Sequence, residues 1–363
     1  MIFQFKQKSQ DFYVAENLPF TLSGKGDAFY VYFEKRNKTT HEVLEHLKRD
    51  LWLSRMSIWI AWLKDKKAIA KQRVSIYDRA LQQAWGEEVF VKSLSKMWRI
   101  LETWRHEFPL NLSTPISNSF HIRLRSTKKL WQGEKADSIE IVSALLKKWY
   151  ANLFGVQRFG LNGRNKTQGR EIMNRVSKEK FEKKETVFKL QAYASSVFNE
   201  IVEKRAKNKK ILDGDILTWN HFWEIKYWVY KNDTKTVQEC EVRGESNKYM
   251  FYPEGRWKAV PYESFMKLTC PIPGFNVPLA RPGTAAWDLE AWFMAHNKLS
   301  WDTMWKYKEF KVYGLRRALR VYPTKTKVKY QEDDLLVDFT LPAGSYASIV
   351  FDSLGEKLEG KKK

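Results

Sequence analysis

The segment Ala61-Trp-Leu-Lys-Asp-Lys-Lys-Ala68 places one carboxylate, Asp65, among three lysines. Nearby positive charge favours the ionised form of a carboxylate, which can then act as a nucleophile or a base. The lysines would also let this carboxylate meet a polyanion that it would otherwise repel. An exposed turn with salt bridges gives the same pattern, and spacing alone favours that simpler interpretation. The role of Asp65 must therefore be judged from the segments on either side of it.

Strand and turn signals dominate the part of the chain before Asp65. Asp11-Phe-Tyr-Val14 and Phe29-Tyr-Val-Tyr-Phe33 have strong β propensity, and the turn-forming segment Ser23-Gly-Lys-Gly-Asp27 lies between them. The Gly-x-Gly in this turn precedes a strand and does not open a helix, which excludes a dinucleotide-binding fingerprint. Thr39 and Glu42 then form a capping-box pattern, which predicts the start of a helix.

The part of the chain after Asp65 alternates between helical and extended patterns. The predicted helices are 77–106, 136–150 and 301–319, and the predicted strands are His121–Arg125, short segments within 211–290, and Leu335–Leu341. The stretch 164–210 is rich in Lys and Arg and contains an amphipathic helix, whose basic face is equally typical of simple solvation. Helices and strands interleave without strict βαβ alternation, which predicts an α+β fold with a mixed or antiparallel sheet.

Composition favours a polyanionic partner. The 363 residues carry 64 Lys and Arg against 42 Asp and Glu, which gives a formal net charge of +22. Such a charge favours RNA or DNA as a partner, although a solvated lysine-rich surface explains it equally well. A DNA-binding protein has little support, because no helix-turn-helix or zinc-finger pattern occurs in the sequence.

Other classes of protein are disfavoured by the cysteines, the histidines and the hydropathy pattern. Cys240 and Cys270 are far apart and the six histidines are scattered, so a disulfide framework and a metal site have little support. The N-terminus lacks the apolar region of a signal peptide, and no apolar run approaches the length of a membrane span. The cytoplasm is therefore the expected compartment.

A series of short motifs extends over nearly the whole chain. They are Asp11–Phe20, Ser23–Gly26, Lys64–Gln72, Asn118–Phe120, Asn152–Gly160, Phe198–Val202, Asp213–Asp215, Ile272–Gly274, Arg316–Ala318, Tyr322–Pro323 and Leu341–Ala347. Each match is weak alone, but so many in one order are hard to obtain by chance. In these motifs and their order the chain resembles the TruD pseudouridine synthases, which isomerise uridine 13 of tRNA.

The resemblance implies an α+β fold in which a pseudouridine synthase catalytic domain, with a mixed or antiparallel sheet, contains an inserted α/β TRUD domain. The expected limits are 1–148 and 311–356 for the catalytic domain, 149–310 for the insertion and 357–363 for a disordered basic tail. The resemblance also implies tRNA as the partner, with no cofactor, no membrane and no protein partner.

The resemblance further implies roles for individual residues. Asp65 matches the catalytic aspartate, which attacks the nucleoside while the glycosidic bond breaks, so that the uracil rotates and rejoins through carbon 5. Attack at the base and attack at the sugar both remain open. Phe120 matches the aromatic residue that stacks on the flipped base, with an ordinary core position as the alternative. Substrate-binding roles are implied for Asn118, Lys64 and Lys6, and Lys6 could also keep Asp65 ionised.

The residues expected to shape the cleft are Gln157, Arg158, Phe159 and Trp62. The chain departs from the family pattern at several positions, and Trp62 stands where a glycine is usual, two residues before the lysine of the catalytic motif. These departures leave an alternative function open. It is that of a TruD-like RNA-binding or tRNA-folding protein whose catalysis is weakened or lost.

Overall fold

The computed structural model describes residues 3–54, 57–61, 64–111, 117–174, 183–207, 210–221, 224–245, 248–259 and 267–351. Trp62 and the predicted tail 357–363 lie outside these residues, as do parts of the basic stretch 164–210. The chain divides into two compact units, of which Tyr150–Val321 forms the second and the segments before and after it form the first. The predicted domain limits remain predictions, since compactness by itself assigns no role to either unit.

Strands and helices alternate irregularly along the described chain. The strands are β1 (Phe3–Gln4), β2 (Phe12–Asn17), β3 (Ala28–Arg36), β4 (Ile58–Trp59), β5 (Ile69–Tyr77), β6 (Arg99–His106), β7 (Ser117–Ser126), β8 (Tyr150–Ala151), β9 (Ile216–His221), β10 (Glu224–Lys231), β11 (Thr236–Glu245), β12 (Lys248–Ala259), β13 (Lys267–Ile272), β14 (Leu315–Ala318), β15 (Arg320–Val321), β16 (Thr324–Gln331) and β17 (Asp334–Pro342). The α-helices are α1 (Thr40–Leu51), α2 (Asp78–Gln83), α3 (Glu87–Ser95), α4 (Gln132–Leu146), α5 (Val156–Phe159), α6 (Arg164–Asn174), α7 (Lys183–Lys207), α8 (Ala285–His296) and α9 (Trp301–Glu309).

A nine-stranded sheet forms the centre of the first unit. Its strands follow the order β16-β17-β7-β2-β5-β3-β6, with β1 paired to β7 and β4 paired to β5. The central neighbours β2 and β5 are parallel, whereas β7 pairs with β2 and β17, and β3 with β5 and β6, in antiparallel fashion. This mixed sheet, combined with helices, confirms the predicted α+β class.

The main core of the first unit lies between the sheet and the helices α1, α2 and α3. Side chains alternate between the two faces of a strand, so Phe29 and Phe33 of β3 point to the same face. They belong to one buried apolar cluster with Val43 and Leu47 of α1, which recur at helical spacing. The helix itself begins as predicted, because Thr39 and Glu42 form a reciprocal capping box.

The helix predicted over 77–106 is wrong in its last part. α2 and α3 are helical, but Arg99–His106 forms β6 and pairs with β3. Trp85 and Gly86 interrupt the helical path, since both have positive φ angles, of 59° and 91°. Pairing with β3 places β6 at the edge of the sheet, and this long-range contact outweighs the local helical spacing of its apolar residues.

The helix predicted over 301–319 is too long. α9 ends at Glu309, and Leu315–Ala318 forms β14, which pairs with β13. Lys311 leaves the helical path with a φ angle of 55°. Gly314 then passes close to Val277, because a Cβ at this position would lie 2.3 Å from the Cβ of Val277. The close approach of these two segments therefore requires glycine. A further helix, α8, begins inside the region for which only short strands and loops are predicted.

The second unit contains a six-stranded antiparallel sheet in the order β12-β11-β10-β9-β13-β14, and a separate pair formed by β8 and β15. The amphipathic helix predicted within the basic stretch is confirmed as α7. Its apolar residues at four-residue spacing are buried: Tyr193, Ala194, Val197, Phe198, Ile201 and Val202. No helix in the described part of the chain is long and apolar enough to cross a membrane.

A buried ion pair joins α8 to β14 in the second unit. Arg316 donates to Glu290 Oε1 at 2.7 Å and to Oε2 at 3.1 Å, and the two side chains are 0% and 4% exposed. Arg316 also donates to Thr269 and to the carbonyl of Pro278. Buried charges persist only when they are paired and hydrogen-bonded, so this bidentate arrangement satisfies both groups.

Replacing Glu290 with alanine is expected to destabilise the second unit strongly. The substitution leaves the Arg316 guanidinium buried without its counter-charge, which costs about 3–5 kcal/mol. Urea unfolding followed by tryptophan fluorescence would measure this loss. As a matched control, Glu45→Ala removes a carboxylate from the half-exposed pair with Lys48 and should leave the midpoint unchanged. Equal midpoints for both variants would contradict the prediction.

Candidate active site

Asp65 and Lys6 meet at one end of the nine-stranded sheet. Lys6 precedes β2 and Asp65 precedes β5, and the segments that lead into two adjacent parallel strands lie at the same sheet edge. Lys6 Nζ donates to Asp65 Oδ2 at 2.5 Å. The two side chains are 18% and 26% exposed, so the ion pair is partly buried while the carboxylate still reaches the surface.

Lys6 is held in an unusual backbone conformation. Its φ angle is 57°, in the left-handed region that residues other than glycine seldom adopt. The ammonium group lies 4.2 Å from the centre of the Phe12 ring, in addition to its bond to Asp65. Strained conformations of this kind persist when the surroundings enforce them, and they cluster at functional sites. The expected proximity of Lys6 to Asp65 is thus present, whereas a role in substrate binding stays a prediction.

Lys64 is directed into the protein and not towards solvent. Its Nζ donates to Asn118 Oδ1 at 2.6 Å and lies 3.2 Å from Glu16 Oε1. The side chains of Lys64 and Glu16 are 6% and 0% exposed. Glu16 Oε2 in turn accepts a hydrogen bond from the backbone N–H of Arg73 at 3.0 Å. The two predicted binding residues, Lys64 and Asn118, therefore contact each other and tie the loop before β5 to β2 and β7.

Two side chains, from the start of α1 and from β3, support the backbone of the Asp65 loop. Thr40 Oγ1 accepts a hydrogen bond from the Lys64 N–H at 2.9 Å and donates to Gln72 at 3.0 Å. Lys35 Nζ donates to the carbonyl oxygen of Asp65 at 2.8 Å. The loop is therefore held through its main chain, through the Lys64 side chain and through the ion pair of Asp65 with Lys6.

Phe120 lies on β7 within an aromatic cluster. Its ring stacks on Phe339 of β17, with centroids 5.3 Å apart and planes at 23°, and meets Phe12 edge-on at 5.9 Å. Phe12 links this cluster to the ion pair, because the Lys6 ammonium lies over its ring. Phe120 is 5% exposed, so it is mostly packed in the core. The predicted stacking on a flipped base stays a prediction.

Three of the four residues expected to shape the cleft, Gln157, Arg158 and Phe159, belong to α5 in the second unit. Arg158 donates to Gln191 at 3.3 Å, and its guanidinium lies 5.3 Å from the centre of the Phe154 ring. The ring of Phe159 lies 6.0 Å from Lys166 Nζ. Their roles in a cleft stay predictions, as does the role of Gln157, and Trp62 lies outside the described residues.

Three residues contribute to this site although no role in it was assigned to them from the sequence. Glu16 and Lys35 are charged residues whose strand positions turn inward, and Phe339 lies in the last strand of the chain. The period-2 alternation gives a signal for the first two, since each shares the inward face with apolar neighbours and carries a charge there. Nothing local indicates Phe339, because its contact with Phe120 spans more than half of the chain.

This arrangement presents a carboxylate that is reachable from solvent, held beside a cation and connected to aromatic rings. Such a group can act as a nucleophile or a base. The family model of tRNA pseudouridine synthase D (TruD) matches residues 2–184 and 185–353. The chain belongs to the TruD family. This membership confirms the family resemblance of the motifs and the predicted class of enzyme, a pseudouridine synthase, which is an isomerase.

Relatives in several organisms match the chain over most of their own length. The chain is 28% identical to tRNA pseudouridine synthase D of Wolinella succinogenes, over 98% of this chain and 95% of the relative. It is also 28% identical to the protein of that name from Thermus thermophilus, over 95% of this chain and 86% of the relative. A crystal structure of a Methanosarcina mazei protein assigned to TruD matches with a TM-score of 0.55, over 96% of this chain and 92% of that chain. At 18% identity this match supports the fold alone.

Replacing Lys6 with methionine should slow pseudouridine formation without preventing tRNA binding. The change removes the ammonium that orients the Asp65 carboxylate, and misplacement of a reacting group by 1 Å can cost about 10²-fold in rate. Single-turnover kinetics at saturating enzyme would measure the effect, with a filter-binding assay for affinity. Lys8→Met, two residues further on and exposed, is the matched control. The prediction fails if both variants react at the wild-type rate.

Proposed function

We propose that this TruD-family protein converts uridine to pseudouridine in tRNA, with uridine 13 as the expected target and Asp65 as the nucleophile. The observation that carries the proposal is the Asp65 carboxylate, held against Lys6 at the sheet edge of a chain that matches the family over nearly its whole length. The first unit, which contains both residues, would be the catalytic part, and Tyr150–Val321 would be the insertion.

The proposed reaction rearranges the nucleoside without redox chemistry or hydrolysis. The bond between uracil N1 and the sugar breaks, the uracil rotates, and a new bond forms between carbon 5 and the sugar. Carbon 5 loses its proton and N1 gains one, so atoms and electrons balance without a cofactor. Asp65 would attack either the base or the sugar, and its ion pair with Lys6 fits both routes because each requires an ionised, oriented carboxylate.

The target base must leave its stack before Asp65 can react with it. Extrusion of a base costs roughly a few kcal/mol, and stacking on an aromatic side chain returns on the order of 1–3 kcal/mol. Phe120 is the proposed stacking residue. The ring of Phe339 already covers one face of Phe120, so the base would use the other face or the ring edge. Phe339 would then keep the Phe120 ring in a fixed plane when the base arrives.

Exposed cations on α6 are proposed contacts for the tRNA backbone. Arg164, Lys166 and Arg170 are exposed on this helix, whereas Arg205 of α7 is buried in a pair with Asp215 at 2.5 Å. Contacts between cations and phosphates release counterions and provide affinity that does not depend on base sequence. The basic composition of the chain would therefore contribute to binding through these three residues and not through every lysine and arginine in the stretch.

Replacing Asp65 with asparagine should abolish pseudouridine formation while tRNA binding persists. Asparagine keeps the size of the side chain but lacks the negative charge and nucleophilicity of the carboxylate. Pseudouridine mapping of tRNA from cells with wild-type protein, with the variant and without the gene would measure the loss at each position. A signal at uridine 13 that depends on Asp65 is the expected result.

The same experiment tests the alternative of an RNA-binding or tRNA-folding protein. Wild-type protein that binds tRNA but produces no pseudouridine at any position would overturn the proposed isomerase and favour that alternative. Pseudouridine that depends on Asp65 but lies at a position other than 13 would support the proposed isomerase activity and correct its target.

Changing Arg164, Lys166 and Arg170 together to alanine should weaken tRNA binding and reduce its salt dependence. Each lost phosphate contact lowers the slope of log K against log salt by about 0.7–0.9. Binding titrations at several salt concentrations would measure the slope. The matched control is a second triple variant, in which the exposed lysines of β16 are changed to alanine. These are Lys325, Lys327 and Lys329. Equal slopes for the two triple variants would contradict a specific role of α6.

A further inference from the structure

Lys35 is a fully buried lysine beneath the Asp65 loop. It lies next to the end of β3 and has 0% exposure. Its Nζ donates to the carbonyl oxygens of Lys38 at 2.6 Å, Asp65 at 2.8 Å and Lys64 at 3.4 Å. An ammonium group has three N–H donors, so these three carbonyl oxygens use its full capacity.

The acceptors of Lys35 lie on the two segments that meet at the candidate site. Lys38 belongs to the connection between β3 and α1, and Lys64 and Asp65 belong to the loop before β5. Two further hydrogen bonds join the loop before β5 to residues 37–40, from Lys64 N–H to Thr40 Oγ1 at 2.9 Å and from Asn37 N–H to the Ala68 carbonyl at 3.4 Å. Lys35 is the member of this set that contacts the peptide group of Asp65 itself.

We propose that Lys35 is a positioning residue for Asp65, whose buried ammonium fixes the main chain of residues 64–65 so that the carboxylate stays aligned with Lys6. The proposal rests on the proposed nucleophilic role of Asp65. Lys35 has no exposed surface, so it contacts no substrate and acts through the backbone. A charged group is costly to bury, but it holds three carbonyl oxygens at once, whereas a glutamine amide has only two N–H donors.

The protonation of Lys35 should affect rate and stability in opposite directions. Burial lowers its pKa from 10.5 to about 8; the Asp65 and Glu42 carboxylates oppose this shift, and Lys64 and Lys6 add to it. Above this pKa the neutral amine keeps two of its three donors, so the loop loosens and the rate falls. The folded pKa lies below the unfolded one, so the stability linked to Lys35 rises with pH between about 8 and 10.5. Deprotonation of Lys35 would therefore lower the rate without lowering the stability of the fold.

Single-turnover rates of pseudouridine formation, measured from about pH 6 to about pH 10, test the proposal. The wild-type rate should fall as the pH rises through 8. Lys35→Arg keeps its charge over this range, so its rate should stay level beyond that pH. Lys35→Met should lose about 10²-fold in rate at neutral pH, with unchanged tRNA affinity. Lys96→Met, at an exposed lysine of the same unit, is the control.

A readout independent of activity is hydrogen exchange of the amides of residues 64–68, which should be faster in Lys35→Met than in wild-type protein. If Lys35→Met does not fold, the pH profiles of wild type and Lys35→Arg still test the proposal. Identical alkaline profiles for these two proteins, or a Lys35→Met protein with wild-type rate and exchange, would overturn it while the role of Asp65 stands. A wild type without pseudouridine activity would overturn both.

Discussion

The candidate site depends on the parallel pairing of β2 and β5 in an otherwise antiparallel neighbourhood. Parallel strands begin at the same sheet edge, so the segments that precede them converge even when they are far apart in the chain. This is how Lys6 and Asp65, separated by 59 positions, come within hydrogen-bond distance. An antiparallel arrangement of the two strands would have placed these residues at opposite ends of the sheet, and the carboxylate would lack its cation.

Side chains on the inward face of the same sheet hold the Asp65 loop in place. Glu16 of β2 and Lys35 of β3 are charged residues that share this face with buried apolar side chains, and each binds the loop that precedes β5. Glu16 acts on the Lys64 side chain and Lys35 on the main chain, so the loop is constrained through two independent kinds of contact. The carboxylate of Asp65 is thereby given a defined direction, as its proposed role as a nucleophile requires.

Sequence patterns predicted the α+β class, the start of α1 and the apolar face of α7, because each depends on interactions within a few residues. The last part of the 77–106 segment was mispredicted because its conformation is set by pairing with β3, which local periodicity does not contain. Gly314 could have indicated that the helix predicted over 301–319 ends earlier, because glycine is unfavourable inside a helix. Asp65 was proposed as the catalytic residue through the family motifs, since its spacing alone favoured an inert turn. The contacts of Lys35 could not be predicted, because they require knowing which loops meet.

The first unit is built from both ends of the chain, and this sets an order of events during synthesis. β7 carries Phe120 and Asn118, but its neighbour β17 is made only after all of Tyr150–Val321 has been translated. Until then β7 has an unpaired edge and Phe120 lacks Phe339 behind it. A growing chain that already contains Lys6 and Asp65 would therefore have an incomplete aromatic cluster around Phe120. The ring that backs the proposed stacking residue would thus reach it only after β17, the last strand of this sheet, has left the ribosome.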